Sequence, residues 1–219
     1  MYPARPPLRL VVLASGNGSN LQSVLDACSD TDFGAGVVAV VSDKPGACAL
    51  ERASRSGLPA IAMPCIKGSS RTAYDSALAD AVSGYQPDLI LLLGWMRILS
   101  NAFLSRFPGQ VVNLHPALPG TFPGTHAIER AQEAFRAGTI QHTGVMTHFV
   151  PDEGIDSGPA ILTAEVPILP DDTLASLEAR IHSTEHRLIV ETVKQLIERG
   201  KPRRYGDTEE DKREIKNVQ

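Results

Sequence analysis

The chain has 219 residues, 42% of them hydrophobic, which suits one domain or one domain with a C-terminal extension. No apolar run is long enough to cross a membrane, and the proline-rich residues 1–7 do not resemble a signal peptide. A net charge of −4 argues against nucleic acid as the main partner. The three cysteines form no CxxC pair, which favours a reducing cytoplasm over a disulfide framework.

Apolar runs alternate with segments of helical spacing along the chain. Strands are predicted at 8–14, 36–42, 60–63, 88–93, 143–150 and 160–166, with another ending near residue 112. Helices are predicted at 21–28, 47–56, 70–83, 126–137 and 171–199, most of them followed by a glycine. This order predicts an α/β chain with a Rossmann-like three-layer fold, in which helices cover both faces of a mostly parallel, twisted sheet.

A glycine-rich loop at 15–20 separates the first predicted strand from the first helix. This layout directs backbone N–H groups and a helix N-terminus at an anion. A dinucleotide fingerprint needs a small residue where Leu21 stands, and a P-loop needs a lysine that is absent. The loop therefore predicts a nest for one phosphate, the alternative being a βα turn that holds nothing.

The segment Asn113-Leu114-His115-Pro116 follows the buried pair at 111–112. Because strand side chains alternate, Asn113 and His115 should share a face, while Leu114 points into the core and Pro116 ends the strand. Open α/β sheets bind their ligands at this edge. The alternative is an amide and an imidazole that only hydrogen-bond a turn.

Three other segments contain candidates that have ordinary explanations. The stretch 94–99, Gly-Trp-Met-Arg-Ile-Leu, could line the pocket of a flat heterocycle or belong to the core. Arg71, in the first turn of a predicted helix, faces either a ligand or solvent. Asp156 lies in the turn-rich loop 151–158, where an acid is usually a turn former. The loop 117–125 is long enough to be functional.

The helix predicted at 171–199 contains His182, Glu185 and His186, which match the inverted zinc motif H-x-x-E-H. This motif would place two histidines on zinc and use the glutamate as a base. A third protein ligand is required, and no obvious candidate follows. A zinc hydrolase is therefore an alternative of a different class.

The motifs at 15–21, 94–99, 113–116 and 156–159 (Asp-Ser-Gly-Pro) together resemble those of the glycinamide ribonucleotide formyltransferase family, the folate-dependent transformylases of purine synthesis. The resemblance covers about residues 8–200. The Asn, His and Asp are shared by a wider group of formyl-handling enzymes. The phosphate loop and Glu185 point within that group to a ribonucleotide acceptor.

The resemblance implies that the formyl group of 10-formyltetrahydrofolate is transferred to the amine of 5-phosphoribosylglycinamide in purine synthesis. Catalysis would fall to Asn113 and His115, as donors to the oxyanion of a tetrahedral intermediate. Asp156 would keep His115 charged and order a proton-carrying water. The formyl donor is thus a folate co-substrate, and no metal is implied.

The resemblance also implies the binding residues. For the ribonucleotide these are Gly18, Ser19 and Asn20, at its phosphate, and Glu185, at the glycinamide portion. For the folate they are Arg71, at the anionic end, Met96, Arg97, Ile98 and Leu99, around the pterin, and Asn113, which is also catalytic. Thr121 departs from some relatives, which have a lysine there, so the contribution of its loop stays open.

By the same resemblance, residues 8–200 form a single formyltransferase domain. Its N-terminal part, 8–110, would hold the phosphate and its C-terminal part, 111–200, the catalytic and folate residues, followed by a charged tail at 201–219. The expected partners are small molecules, with neither nucleic acid nor membrane, and the chain is expected to be a monomer or homodimer. The alternatives are a 10-formyltetrahydrofolate hydrolase, which could use the same three catalytic residues, and a non-catalytic nucleotide sensor. Initiator-tRNA formylation is disfavoured because no room remains for a C-terminal tRNA-binding domain.

Overall fold

The structure, a computed structural model, describes residues 6–66 and 68–200. It contains a seven-stranded sheet in the order β3-β2-β1-β4-β5-β6-β7. The strands β1 to β5 pair in parallel, whereas β6 and β7 join antiparallel to the β5 edge. The strands are β1 Leu8–Leu13, β2 Ala35–Ser42, β3 Ala60–Ala62, β4 Leu89–Leu92, β5 Val111–His115, β6 His142–Phe149 and β7 Ala160–Pro167.

Helices cover both faces of this sheet. They are α1 Ser19–Cys28, α2 Cys48–Arg55, α3 Arg71–Ser83, α4 Asn101–Leu104, α5 Ala127–Arg136 and α6 Leu174–Arg199. Alternate side chains of β1 divide between two cores: Leu10 and Val12 pack with α1, α2, α5 and α6, and Val11 and Leu13 pack with α3 and α4. The predicted α/β fold with a mostly parallel sheet is therefore confirmed.

The predicted elements all form, with ends that differ by at most three residues. The short helix α4 and a 3₁₀ turn at Thr31–Phe33 were not predicted, because a single helical turn shows no periodicity. The charged tail predicted at 201–219 lies outside the described residues.

Helix α6 is the longest element, at 26 residues, and begins where the Thr173 hydroxyl accepts a hydrogen bond from the Ser176 amide. Its buried residues recur at helical spacing, from Leu177 to Leu196, and pack on the α1 side of the sheet. Within the described ranges, no helix combines the length and the apolar character that crossing a membrane requires.

Candidate active site

The carboxyl end of β5 carries the two polar side chains predicted there. Asn113 and His115 share one face of the strand, while Leu114 packs in the core on the other. The antiparallel register of β5 with β6 places His148 directly opposite Asn113. The site therefore lies where the sheet changes from parallel to antiparallel pairing, with an amide and two imidazoles side by side.

Asp156 reaches this strand end from the loop between β6 and β7. Its Oδ1 accepts a hydrogen bond of 2.9 Å from Asn113 Nδ2, and its Oδ2 accepts one of 2.7 Å from the Gly124 amide. His115 Nδ1 lies 3.4 Å from Oδ2, and His148 Nε2 lies 3.5 Å from Oδ1. The backbone of Asp156 is left-handed, with a φ of 50°, a conformation that Asp and Asn tolerate better than most residues. The predicted convergence of Asn113, His115 and Asp156 is present.

His148 is the site residue that the sequence did not identify. It is 1% exposed, and its Nδ1 lies 2.8 Å from the Phe149 carbonyl, which can only accept. The proton is therefore on Nδ1, and Nε2 accepts the hydrogen bond of 3.1 Å from Asn113 Nδ2. Its only sequence signal is its position in the strand predicted at 143–150, and the pairing with Asn113 depends on a register that sequence patterns do not give.

Both amide hydrogens of Asn113 thus have acceptors within the protein. One bonds to Asp156 and the other to His148. To donate to a substrate oxygen, Asn113 must give up one of these contacts or share it. The orientation of its amide is fixed before any ligand arrives, which is the preorganisation that oxyanion stabilisation requires.

His115 is held on both sides of its ring. Its Nε2 lies 3.1 Å from the Phe122 carbonyl, in the loop 117–125, and its Nδ1 faces Asp156. Because the carbonyl can only accept, Nε2 carries the proton in the neutral ring, which leaves the lone pair on Nδ1. The loop whose role was open from the sequence therefore supplies two contacts to the site, the Phe122 carbonyl and the Gly124 amide.

The charge state of His115 differs from the one expected from the sequence. Burial lowers the pKa of His115 below its ordinary value, and it outweighs Asp156 and the Phe122 carbonyl, which both act to raise it. Burial alone would raise the pKa of Asp156, but the contact with His148, the hydrogen bond from the Gly124 amide and the nearby His115 imidazole lower it. At neutral pH the resting pair is therefore a neutral imidazole beside a carboxylate, whereas a charged His115 was expected.

The glycine-rich loop joins β1 to α1 as predicted. Gly18 occupies the position before the helix with a φ of 75°, and no side chain caps the first turn. A Cβ at Gly18 would lie 2.9 Å from both Cα and Cβ of Ala49, so only glycine lets the loop approach α2 this closely. The amides of Ser19 and Asn20 open the helix, in the geometry that binds a phosphate.

Glu185 connects this loop to α6. It is 5% exposed, and its Oε2 accepts hydrogen bonds of 3.3 Å from Asn20 Nδ2 and 2.7 Å from His182 Nδ1. Its charge also acts to raise the pKa of His115, so the loop and the catalytic cluster share one electrostatic environment. Across residues 6–66 and 68–200, no three His, Cys, Asp or Glu side chains group as a metal site needs. His182 contacts the glutamate that the zinc motif would use as its base.

The residues predicted for the pterin follow the carboxyl end of β4, the strand between β1 and β5. Met96 and Ile98 expose 66% and 43% of their surface, whereas Leu99 is buried in the core, which leaves mainly its backbone available. The guanidinium of Arg97 stacks 4.7 Å from the ring centre of Tyr74. The Met96 amide donates a hydrogen bond of 3.0 Å to Ser15 Oγ, which ties this segment to the glycine-rich loop.

Arg71 stands at the start of α3 and forms an ion pair with Glu153. Glu153 also accepts a hydrogen bond of 2.9 Å from the Asn101 amide at the start of α4. It belongs to the loop that carries Asp156. The predicted anion-binding residue is therefore already paired with a carboxylate of its own chain, at the rim of the same loop.

Known proteins resemble this chain over nearly all of its described part. A family model for formyl transferases matches residues 8–193. The chain is 42% identical to the phosphoribosylglycinamide formyltransferase of Dictyostelium discoideum over 85% of its own length and 97% of that protein. The enzyme of the same name from Escherichia coli K12 is 41% identical, with 83% of each chain covered.

A solved structure agrees with these sequence matches. Glycinamide ribonucleotide transformylase 1 from Symbiobacterium toebii superposes with a TM-score of 0.83 and 39% identity, and the match covers 90% of this chain and 91% of that one. These similarities agree with the sheet order and with the polar cluster at the end of β5. The chain belongs to the formyl transferase family.

Proposed function

We propose that this protein transfers the formyl group of 10-formyltetrahydrofolate to the amine of 5-phosphoribosylglycinamide, giving N-formylglycinamide ribonucleotide and tetrahydrofolate. The observation that carries the proposal is the convergence of Asn113, His115 and Asp156 at one sheet edge. The relatives named phosphoribosylglycinamide formyltransferase support the same acceptor. The reaction is a step of purine biosynthesis.

The chemistry follows from the state of the cluster. The amine nitrogen of the ribonucleotide adds to the formyl carbon, and the carbonyl oxygen becomes an oxyanion that Asn113 Nδ2 stabilises. His115, neutral at rest, takes a proton from the attacking amine. The bond between the formyl carbon and the folate nitrogen then breaks, and the proton passes to that nitrogen. Asp156, ionised throughout, stabilises the imidazolium formed in between.

The ribonucleotide is proposed to bind across the glycine-rich loop and α6. Its phosphate accepts hydrogen bonds from the backbone of Gly18, Ser19 and Asn20, beside the positive end of α1. Glu185 faces its glycinamide portion. The hydrogen bond between Asn20 and Glu185 supports this placement of the ribonucleotide, since it joins the residues proposed for its phosphate and for its glycinamide portion.

The folate is proposed to bind beside the 94–99 segment. The exposed side chains of Met96 and Ile98, with backbone groups of Arg97, Leu99 and their neighbours, form one wall for the pterin. Arg71 pairs with the anionic end of the folate in place of Glu153. The oxygen of the formyl group then lies at Asn113, which is proposed both to bind the folate and to act in catalysis.

A direct assay separates this function from hydrolysis of the folate. Purified protein is incubated with 10-formyltetrahydrofolate, with and without 5-phosphoribosylglycinamide, and both tetrahydrofolate and formylated ribonucleotide are measured. We expect tetrahydrofolate to form only with the ribonucleotide, in equal amount to the formylated product. Tetrahydrofolate released at the same rate without the ribonucleotide would identify a hydrolase, and no turnover at all would refute both.

The wider setting of the protein follows from the same proposal. Its partners are the two small-molecule substrates, and neither nucleic acid nor a membrane takes part. We place the reaction in the cytoplasm, because Cys28, Cys48 and Cys65 are all free thiols. The expectation of a monomer or homodimer, and the division of the domain at residue 110, stay predictions.

A further inference from the structure

Arg52, on α2, makes three hydrogen bonds to the glycine-rich loop and to the helix that follows it. Its Nε donates to the Asn17 carbonyl at 2.9 Å, one terminal nitrogen donates to Asn17 Oδ1 at 3.0 Å, and the other donates to Gln22 Oε1 at 3.1 Å. A single guanidinium thus holds both oxygens of one loop residue and the second turn of α1.

The position of Asn17 makes these contacts informative. Asparagine side chains commonly accept hydrogen bonds from backbone N–H groups two or three residues further along the chain. For Asn17 those groups are the amides of Ser19 and Asn20, the ones proposed to hold the phosphate. Arg52 engages Asn17 Oδ1 instead, and the first turn of α1 has no side-chain cap.

The charge of Arg52 matters for the same site. Residues 15–28, which contain the loop and α1, include no lysine or arginine. A phosphate bound at the start of α1 therefore receives no cation from its own loop, while the Arg52 guanidinium is hydrogen-bonded to Asn17 in that loop. An arginine can hold two oxygens in fixed geometry with its planar fork, which a lysine cannot do.

We propose that Arg52 is a positioning residue for the ribonucleotide phosphate. It withdraws Asn17 Oδ1 from the start of α1, so that the amides of Ser19 and Asn20 stay free for the phosphate. This role rests on the proposed function, in that the phosphate is taken to be that of the substrate. Arg52 itself does not touch the reacting atoms.

The test compares Arg52→Gln and Arg52→Lys with Arg55→Gln as the matched control. Arg55 lies on the same helix and, within the part of the chain that the structure describes, forms an ion pair only with Glu51, at the surface. We expect both Arg52 variants to raise the KM for phosphoribosylglycinamide about tenfold or more, the cost of losing a charge-assisted hydrogen-bond set. The KM for the folate and kcat should stay within about twofold of wild type, as should all constants of the control.

The Asn17→Ala background shows whether Arg52 acts through Asn17. With no amide left to compete, adding Arg52→Gln should raise KM by no more than about threefold over Asn17→Ala alone, because coupled sites are not additive. A full tenfold effect in this background would overturn the mechanism. So would equal losses in kcat and both KM values together with a lower Tm, since that pattern reports a structural role.

A binding measurement keeps the test independent of catalysis. Inorganic phosphate should raise the Tm of the wild type and of Arg55→Gln, and raise that of Arg52→Lys much less. If wild-type protein bound phosphate but formylated nothing, the proposed function would fail while the Arg52 proposal stood. Equal phosphate shifts in the wild type and in both Arg52 variants would overturn the Arg52 proposal.

Discussion

The substitution Asp156→Asn tests the proposed mechanism most directly. Asparagine has the same shape and tolerates the left-handed backbone at this position, where φ is 50°. The substitution therefore leaves the loop conformation intact. It removes the negative charge and converts one of the two acceptor oxygens into a donor.

The structure determines what that exchange costs. Asp156 Oδ1 accepts from Asn113 Nδ2 and Oδ2 accepts from the Gly124 amide, so in either orientation the new NH₂ group faces another N–H donor. The imidazolium of His115 also loses its neighbouring carboxylate. Removing one preorganised electrostatic contact from a transition state typically lowers kcat about 10²–10³-fold, and we expect a loss of that size here.

The assay measures steady-state formyl transfer with both substrates varied. We expect the loss to appear in kcat, with both KM values within about threefold of wild type, because the one proposed binding residue that Asp156 contacts is Asn113, which is also catalytic. Asp152→Asn is the control: it lies in the same loop, and asparagine can still accept the hydrogen bond that Asp152 Oδ1 receives from the Gly154 amide. If kcat of Asp156→Asn were within about threefold of this control, the assigned role of the carboxylate would be refuted.

Three further predictions concern neighbouring residues. Since burial lowers the pKa of His115, kcat/KM should be level from about pH 7 upward and fall at lower pH as the ring gains a proton; a fall on the alkaline side near pH 7 would contradict a neutral base. His148→Phe should lower kcat about tenfold with little change in KM, because it removes one of the two hydrogen bonds that orient the side-chain amide of Asn113. Gly18→Ala should lower stability by about 1–3 kcal/mol in denaturant titrations and raise the ribonucleotide KM, because its Cβ would lie 2.9 Å from Ala49. Gly16→Ala is the matched control, since nothing lies within 4 Å of a Cβ there.

Much of this site was accessible from the sequence because the signals were local. The apolar run at 8–14 and the glycines at 16 and 18 are sufficient to predict a strand, a tight turn and a helix start. Strand alternation and Pro116 likewise place Asn113 and His115 on one face at a strand end. What alternation cannot give is the partner strand, and His148 was missed for that reason although its strand was predicted.

The charge state of His115 could not be predicted either. From the sequence, a nearby carboxylate is expected to raise the pKa of a histidine. The structure adds the opposing cause, since His115 is 5% exposed and burial outweighs Asp156. The same limit applies to Arg71, whose pairing with Glu153 depends on how a distant loop folds back against α3. Burial and long-range pairing arise from tertiary structure, and no local pattern encodes them.

The change from parallel to antiparallel pairing at β5 explains why these residues meet. Helix α5 connects β5 to β6, and because β6 then runs antiparallel to β5, the loop of the β6–β7 hairpin starts beside Val111, where the Val150 amide donates to the Val111 carbonyl at 3.0 Å. The hairpin loop must then pass close to the end of β6, and a Cβ at Gly158 would lie 1.9 Å from the Phe149 carbonyl oxygen. The Phe149 amide also donates to the Pro159 carbonyl at 3.0 Å, which closes the base of the loop. The position of Asp156 is therefore set by backbone geometry, so that the carboxylate faces Asn113 before either substrate binds.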